Sequence, residues 1–416
     1  MKKLLVIGYV WPEPASSAAG SRMMQLLKIF LNKNWKIWYA SPAANSLYAE
    51  KLENLSIQSV KIKTNDSSFT DFLKEIKPNV VMFDRFMMEE QFGWRVAENC
   101  PKALRILDTE DLHFFRKARY EAFKQNRNLK KSDLHSDEAR REIASILRCD
   151  LSLIISEAEK DLLLKKFGIN PALLLYLPFL LPKLEQASLE AYPNFNERKN
   201  FMFIGNFLHQ PNWDAVLFLK QNIWPLIRQQ LPQAELHIYG AYTRKKVKQL
   251  HNTQENFLVQ GRAENAGKTM QNAKVLLAPL RFGAGIKGKF IEAMQNGTPS
   301  VTTTIGAEGI GGPHPWNGEI ANTDQEVASA AVRLYTNQKR WEKAQQYGLK
   351  IINNRFQKDL FTDAFIEELE NLQKSLTTHR ANNFMGSMLM HHSLKSTKYM
   401  ALWIEAKNKL KALEKE

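Results

Sequence analysis

One stretch of this 416-residue chain combines glycine, lysine and a helical glutamate in a spacing that suits phosphate chemistry. It reads Pro279-Leu280-Arg281-Phe282-Gly283-Ala284-Gly285-Ile286-Lys287-Gly288-Lys289, and continues through Glu292-Ala293-Met294 to Gly297-Thr298-Pro299. Glycines let backbone N–H groups approach an anion closely, and a helix opening at Gly288 turns its positive end to the same point. That helix end favours an anion by roughly 0.3–1 kcal/mol. Lys287 and Lys289 add charge where a diphosphate would sit. Glu292, about one turn into the helix, can accept hydrogen bonds from ribose hydroxyls beside it. Glycine alone also serves plain strand-to-helix turns. The combination is what points to a phosphate-binding loop.

Three further segments carry polar or glycine-rich chemistry. Asp108-Thr109-Glu110-Asp111-Leu112-His113 sets three carboxylates and an imidazole after an apolar run. Asp111 can orient sugar hydroxyls and His113 can move a proton; a capped helix start is the structural alternative. Glu13 to Arg22 contains the small, polar Ser16-Ser17-Ala18-Ala19-Gly20, with Ser21 as the expected N-cap of a helix. Thr304 to Ile310 contains Gly306-Ala307-Glu308-Gly309, which suits a close backbone approach or a turn.

The elements that must position these segments alternate regularly. Strands are expected at Leu4–Val10, Trp35–Ala40, Val80–Phe83, Leu104–Leu107 and Leu151–Ile155, with helices at Ser21–Asn32 and Asp71–Ile76. A basic helical stretch covers 113–147. Pro182–Asn200 is polar and reads as a linker. Alternation then restarts with strands at Phe201–Ile204, Glu235–Tyr239, Phe257–Val259, Val275–Leu280 and Ser300–Thr303. A helix at Asp214–Gln230 is interrupted by Pro225, and another runs from Gly288 to Gln295. Such alternation implies parallel sheets covered by helices on both faces. The expected organisation is a Rossmann-like domain over 1–185, a second over 195–375, and a helical extension over 376–416. In that extension Met388, Leu389, Leu394, Tyr399, Met400, Leu402 and Trp403 look too apolar to stand free, so the helix should pack back on the body.

Composition narrows the partners. The net charge is +15, from 58 Lys and Arg against 43 Asp and Glu. Ten of the basic and five of the acidic residues fall between His113 and Arg148. Such an excess attracts nucleotide phosphates or acidic lipid head groups, unless it is only a solvated face. Peripheral contact with an anionic membrane follows as an expectation; zinc-finger and aromatic RNA-binding patterns are missing, so nucleic acid does not. No apolar run reaches the ~20 residues that cross a bilayer. Cys100 and Cys149 cannot alone form a disulfide framework or a four-ligand zinc site, which suits a cytoplasmic protein. No Asp-x-Asp pair suggests a metal holding the diphosphate, and no cofactor is expected. Gly8 and Gly20 do not make the dinucleotide fingerprint.

The segment from Pro279 to Pro299 resembles the donor-binding segment of glycosyltransferase family 4, a retaining family of GT-B fold. Phe203-Ile204-Gly205-Asn206 with Pro211, Asn212 and Asp214 is similar to the start of that family's second domain. Leu236 to Gly240 is similar to its next strand, and Thr304 to Gly309 to the loop after its helix. The resemblance is specific over about 201–335 and weaker across 1–185. It implies two Rossmann-like domains facing an interdomain cleft, with a sugar moved from a nucleoside diphosphate to a glycan or lipid-linked glycan. It assigns Gly205, Asn206, His209, Gly283, Gly285, Ile286, Lys287, Lys289 and Glu292 to the donor. Glu110, Asp111 and His113 fall to catalysis, and Ser17, Gly20 and Arg22 to the acceptor side. Two positions depart from the pattern. Ala284 stands where the family often has a sugar-holding Glu, and Asn206 where it often has an Arg, with no Lys until Lys220. Lys287, with Lys289 or His209, is expected to neutralise the phosphates instead. Those departures also leave room for a non-catalytic glycosyltransferase-like scaffold, or for an epimerase.

Overall fold

The computed structural model describes residues 1–413, apart from the side chains of 392–394. Seven parallel strands form the first sheet: β1 (Lys3–Ile7), β2 (Lys36–Ser41), β3 (Gln58–Lys61), β4 (Val80–Asp84), β5 (Leu104–Asp108), β6 (Leu151–Ile154) and β7 (Leu174–Tyr176). Their order is β3-β2-β1-β4-β5-β6-β7. Six more build the second sheet: β8 (Lys199–Ile204), β9 (Leu236–Tyr239), β10 (Phe257–Gly261), β11 (Ala273–Ala278), β12 (Ser300–Thr302) and β13 (Gly318–Ile320). They run β10-β9-β8-β11-β12-β13, and their pairings are parallel. Strand order reverses between β1 and β4 in one sheet and between β8 and β11 in the other. Ligands of open parallel sheets lie beyond the carboxyl ends at such reversals. The loops after β8 and β11 hold Gly205, Asn206 and His209 on one side and the glycine–lysine segment on the other.

The helices that matter below are α1 (Ala18–Asn32), α2 (Phe86–Asn99), α3 (His113–Lys124), α4 (Asp137–Arg148), α5 (Glu157–Phe167), α6 (Gly288–Gln295), α7 (Thr362–Lys374) and α8 (Phe384–Leu413). The helix start expected at Ser21 lies three residues earlier. Ser17 caps α1 by accepting from Gly20 N at 3.0 Å, while the Ser21 hydroxyl donates to Pro14 O. The helical stretch expected over 113–147 is two helices, α3 and α4, split by a loop and a short 3-10 turn at Lys131–Leu134. Pro225 lacks an N–H to give the preceding turn. The chain absorbs this with a π-helical turn at Leu219–Ile223 between Gln210–Phe218 and Trp224–Gln230. The polar stretch at Pro182–Asn200 holds a short helix, Gln186–Glu190, and the start of β8.

The chain crosses between the sheets twice, near 181 and near 357, and the crossings are tied. Leu181 N donates to Phe356 O and Lys358 N to Leu181 O, both at 2.8 Å. Beyond them α7 lies on the first domain, where Phe365, Ile366, Leu369 and Leu372 share a core with Leu4, Val6 and Phe30. The ring of Phe365 meets Phe30 edge-on at 5.9 Å.

The last helix corrects the expectation made for it. It does dock on the body, against α2 and α4. It does so through Ala401, Arg95–Glu405 and Asn383, which donates to Leu147 O. The apolar side chains expected to be covered are not: Met388, Tyr399, Met400, Leu402 and Trp403 are all exposed. Only Leu389 is half-buried. Leu394 and the end of the expected helix, 414–416, lie outside the described residues. Phe365→Ala removes a buried ring that joins α7 to the first sheet. It should destabilise the first domain by about 3–5 kcal/mol, read as a lower midpoint in urea.

Candidate functional site: the donor loop between the two sheets

The loop leaving β11 passes Gly283, at φ 153°, and Gly285, at φ 62°, before α6 opens at Gly288. These glycines do more than allow the turn. A Cβ on Gly285 would lie 2.7 Å from Asp111 Cβ, and one on Gly288 would lie 2.5 Å from Ala18 Cβ. Both contacts cross from the second domain to the first. Gly309, on the neighbouring segment, meets Ser156 in the same way. Thr304 to Ala307, expected as loop, forms a short helix capped by Thr303, whose hydroxyl accepts from Gly306 N.

The donor loop is therefore packed against the first domain. Phe282 lies against Tyr120 and Phe123 of α3, with ring centres 4.9 and 5.0 Å away. Arg119 of α3 donates to Gly283 O at 2.8 Å and forks onto Glu308 at 2.7 Å. Gly285 N donates to Glu159 Oε1 at 2.9 Å, and the same oxygen accepts from Leu112 N at 3.0 Å. Burial raises the Glu159 carboxyl to about 8, with Asp111 adding to the effect. Ala284 packs on the core of the first domain.

Within this closed arrangement Lys287 is only 9% exposed, and its Nζ has no hydrogen-bond partner among the described residues. Buried polar groups are almost always paired, so an orphaned ammonium at a helix N-terminus asks for an anion. Burial lowers it to about 8, against the pull of Glu308. Lys289 donates to Asn212 Oδ1 at 2.7 Å and sits over the Phe203 ring. Burial lowers it to about 7, with Glu292 acting the other way. The Glu292 carboxylate carries no hydrogen bond among the described residues, and burial raises its pKa. Ile286 is buried and packs with the second-domain core. Gly205 leaves room for the Asn212 side chain, which a Cβ would meet at 2.7 Å. Asn206 accepts from Leu208 N and reaches Ser16 O of the first domain at 3.4 Å. His209 precedes Gln210–Phe218 and has a solvent-exposed edge. Partial burial and the nearby Arg116 hold its imidazole below the ordinary value.

The facing residues of the first domain gather at the ends of β4 and β5. Glu110 is buried at φ 60°, with Oε1 unpartnered. Burial, then Asp108, raise its carboxyl far above the usual carboxylate range. Asp111 is the opposite case: burial disfavours its charge, but Arg116 and His113 outweigh that and hold it low. His113 Nδ1 lies 3.0 Å from Asp111 O. A carbonyl only accepts, so Nδ1 carries a proton, and Nε2 is the nitrogen free to exchange one. The first turn of α3 is capped, but by a glutamate distant in sequence: Glu142 accepts from His113 N and Phe114 N.

Two expectations for the acceptor side change. Arg22 is 1% exposed and fully engaged inside the first domain. It donates to Asp108 Oδ1 and to the carbonyls of Leu177 and Pro178. It cannot reach a sugar. Gly20 is required because a Cβ would strike the Glu13 backbone at 2.5 Å, and the Ser17 hydroxyl is spent on the helix cap. The unpartnered hydroxyl of that loop belongs to Ser16.

Sequence reasoning missed Asp84, Arg85, Arg116, Arg119 and Glu159. Asp84 accepts from Tyr9 N, keeps Oδ1 unpartnered, and precedes Arg85 at φ 71°. Its position at the end of β4, beside the strand reversal, was the available signal.

Comparison with known proteins follows the same division. Residues 198–337 match the family described as "Glycosyl transferases group 1". An uncharacterized 44.6 kDa protein in the cps region of Klebsiella pneumoniae is 23% identical over 384 residues, covering 81% of this chain and 92% of its own. Sucrose-phosphate synthase from Thermosynechococcus elongatus superposes with a TM-score of 0.68 at 13% identity, covering 90% of this chain and 100% of its own. Anabaena HepE, solved with UDP and glucose, gives 0.66 at 13% identity, covering 89% and 100%. At such identities the solved structures speak to the fold, which is GT-B, built of the two parallel-sheet domains together.

Arg22→Ala should cost about 3–5 kcal/mol of stability by stranding buried Asp108, measured by urea unfolding, with donor affinity in the surviving folded fraction unchanged. The group 1 match falls on the domain that carries the glycine–lysine loop, so the chain has the GT-B fold and, over residues 198–337, a domain of the glycosyl transferases group 1 family.

Proposed function

We propose that this glycosyltransferase moves a sugar from a nucleoside diphosphate-sugar to a glycan or lipid-linked glycan, with retention and without a metal. The observation that carries the reading is the buried, unpartnered ammonium of Lys287 at the opening of α6. In this scheme the pyrophosphate replaces the missing partner, and Lys289 and the first N–H groups of α6 complete the cradle. Charge developing on the leaving diphosphate is stabilised by groups already fixed in place. Glu292 takes the ribose hydroxyls. On the first-domain side, burial favours the protonated form of Glu110, which can donate to a sugar or acceptor oxygen. Asp111, held ionised by Arg116, can accept from a hydroxyl, and His113 Nε2 can take a proton.

The contacts of Arg119 and Glu159 with the loop describe a closed state. Donor entry then requires the domains to part, and reclosure excludes water from the reaction. HepE was solved with UDP and glucose, and a pneumococcal O-GlcNAc transferase with UDP and GlcNAc, which supports a nucleotide-sugar here. The Klebsiella relative from a cps region supports a cell-surface polysaccharide as acceptor. Cytoplasmic chemistry is part of the same proposal, since Cys100 and Cys149 are free thiols.

One observation favours a second reading, a non-catalytic scaffold: Ala284 offers a methyl group to the first-domain core where the family often presents a carboxylate. Release of nucleoside diphosphate separates the two. Transfer requires release that depends on an acceptor extract and yields a glycosylated product. Donor binding with no release in any extract rejects the enzyme reading.

Lys287→Ala should weaken the donor roughly 10–100-fold, the worth of one charge-assisted hydrogen bond. Its melting temperature without ligand should hold or rise, because a costly buried charge is gone. Unaltered donor affinity, measured by calorimetry, would remove the phosphate role. A pH effect follows. The empty site releases the Lys287 proton near pH 8, whereas a bound diphosphate retains it. Donor binding should therefore take up protons from about pH 8 to the ordinary lysine range near ~10.4. It should also weaken as pH rises through that window. Calorimetry in buffers of different ionisation heat measures the uptake.

A further inference from the structure

Helix α8 leaves an apolar face uncovered. Of the large apolar side chains exposed among the described residues, half lie in this one helix. Met388, Tyr399, Leu402, Leu410 and Leu413 recur at separations of eleven, three, eight and three. At 3.6 residues per turn these fall on one outward stripe. The opposite face is the docked one, with Ala401 at 3% exposure and Glu405 paired to Arg95 at 2.9 Å. Gly386 lets the helix approach closely, because a Cβ there would collide with Leu147 O.

Lysines border the stripe. Lys407 and Lys411 lie on one side with Met400 and Trp403, and Lys398 and Lys409 lie on the other. Lys395 stands within the stripe, and Lys407 sits 5.0 Å over the Trp403 ring. Lys395, Lys407 and Lys411 are exposed. The only acidic residue of the helix, Glu405, is turned towards the protein. No helix among the described residues is long and apolar enough to cross a membrane. The helix is not amphipathic as a whole, since its inner face is taken up by the protein, but its outer stripe, with aromatic residues and flanking lysines, offers what a membrane interface accepts.

We infer that α8 seats the first domain on an anionic bilayer, its stripe among the upper acyl chains and its lysines among acidic head groups. A second copy of this chain fits worse, since two such faces would bring their lysine rows together. The +15 net charge adds long-range attraction to the same partner. The inference deepens the sugar-transfer reading and rests on it only for the acceptor's setting, a lipid-linked glycan presented to the domain that α8 covers.

The test is sedimentation of the full chain with vesicles, without donor or acceptor. Phosphatidylglycerol–phosphatidylethanolamine vesicles should bind it at least about tenfold more tightly than phosphatidylcholine, and added salt should weaken binding. A triple variant, Met388→Ser with Tyr399→Ser and Leu402→Ser, should lose about tenfold or more. Its circular dichroism and donor affinity should be unchanged. Should that variant misfold, Lys395→Gln with Lys407→Gln and Lys411→Gln alters only exposed side chains and should lose the preference for anionic lipid. The inference is overturned by equal binding to both lipids, by full binding of these variants, or by a dimer that the serine variant dissolves while vesicles are ignored. Vesicle binding and diphosphate release are separate readouts, so either can fail while the other stands.

Discussion

One carboxyl oxygen holds the two domains in register. Glu159 Oε1 accepts from Leu112 N at the entrance of α3 and from Gly285 N in the donor loop. The first bond orients the segment bearing Glu110, Asp111 and His113, and the second fixes the glycine loop that leads into Lys287. Both bonds are buried, where a hydrogen bond is stronger and an unmet group more costly than in water. Separating the domains exposes Gly285 N and leaves Glu159 with one partner fewer. Closure is in this way written into the backbone, with Arg119 and Glu308 as a second tie nearer the surface.

The same packing explains why glycine recurs along the donor loop. Gly285 and Gly288 stand where the first domain comes within contact distance of the second. A side chain at either would wedge the halves apart. The loop thus answers two demands at once. It can present amides to an anion, and it fits against Asp111 and Ala18 when the halves meet. Lys287 is buried there at a cost that an incoming anion would offset.

Much of the fold was legible from periodicity. Helix α6 begins and ends where the pattern placed it, because Gly288 and Gly297 bracket a clean apolar rhythm. Strands β3, β7 and β13 escaped notice, being three or four residues long and at the edges of their sheets. The donor loop was readable because its residues are consecutive. Arg119 and Glu308 were not, since 189 positions separate partners that touch. Arg22 was misplaced for a related reason. A small polar loop precedes it, and sequence cannot say which way a side chain leaves the helix. Ser17 and Ser21 posed the same problem on a smaller scale, as either could have capped α1. The apolar residues of α8 were readable as a group, but periodicity alone did not reveal which face the protein would leave bare.

The return of α7 to the first domain has a consequence for assembly. Phe365, Ile366, Leu369 and Leu372 fill the core beside β1, yet they are made after the whole second domain. During synthesis the N-terminal unit therefore has an open apolar seam along Leu4, Val6 and Phe30 until the α7 residues are made. A nascent chain stalled before residue 365 would present that seam to chaperones.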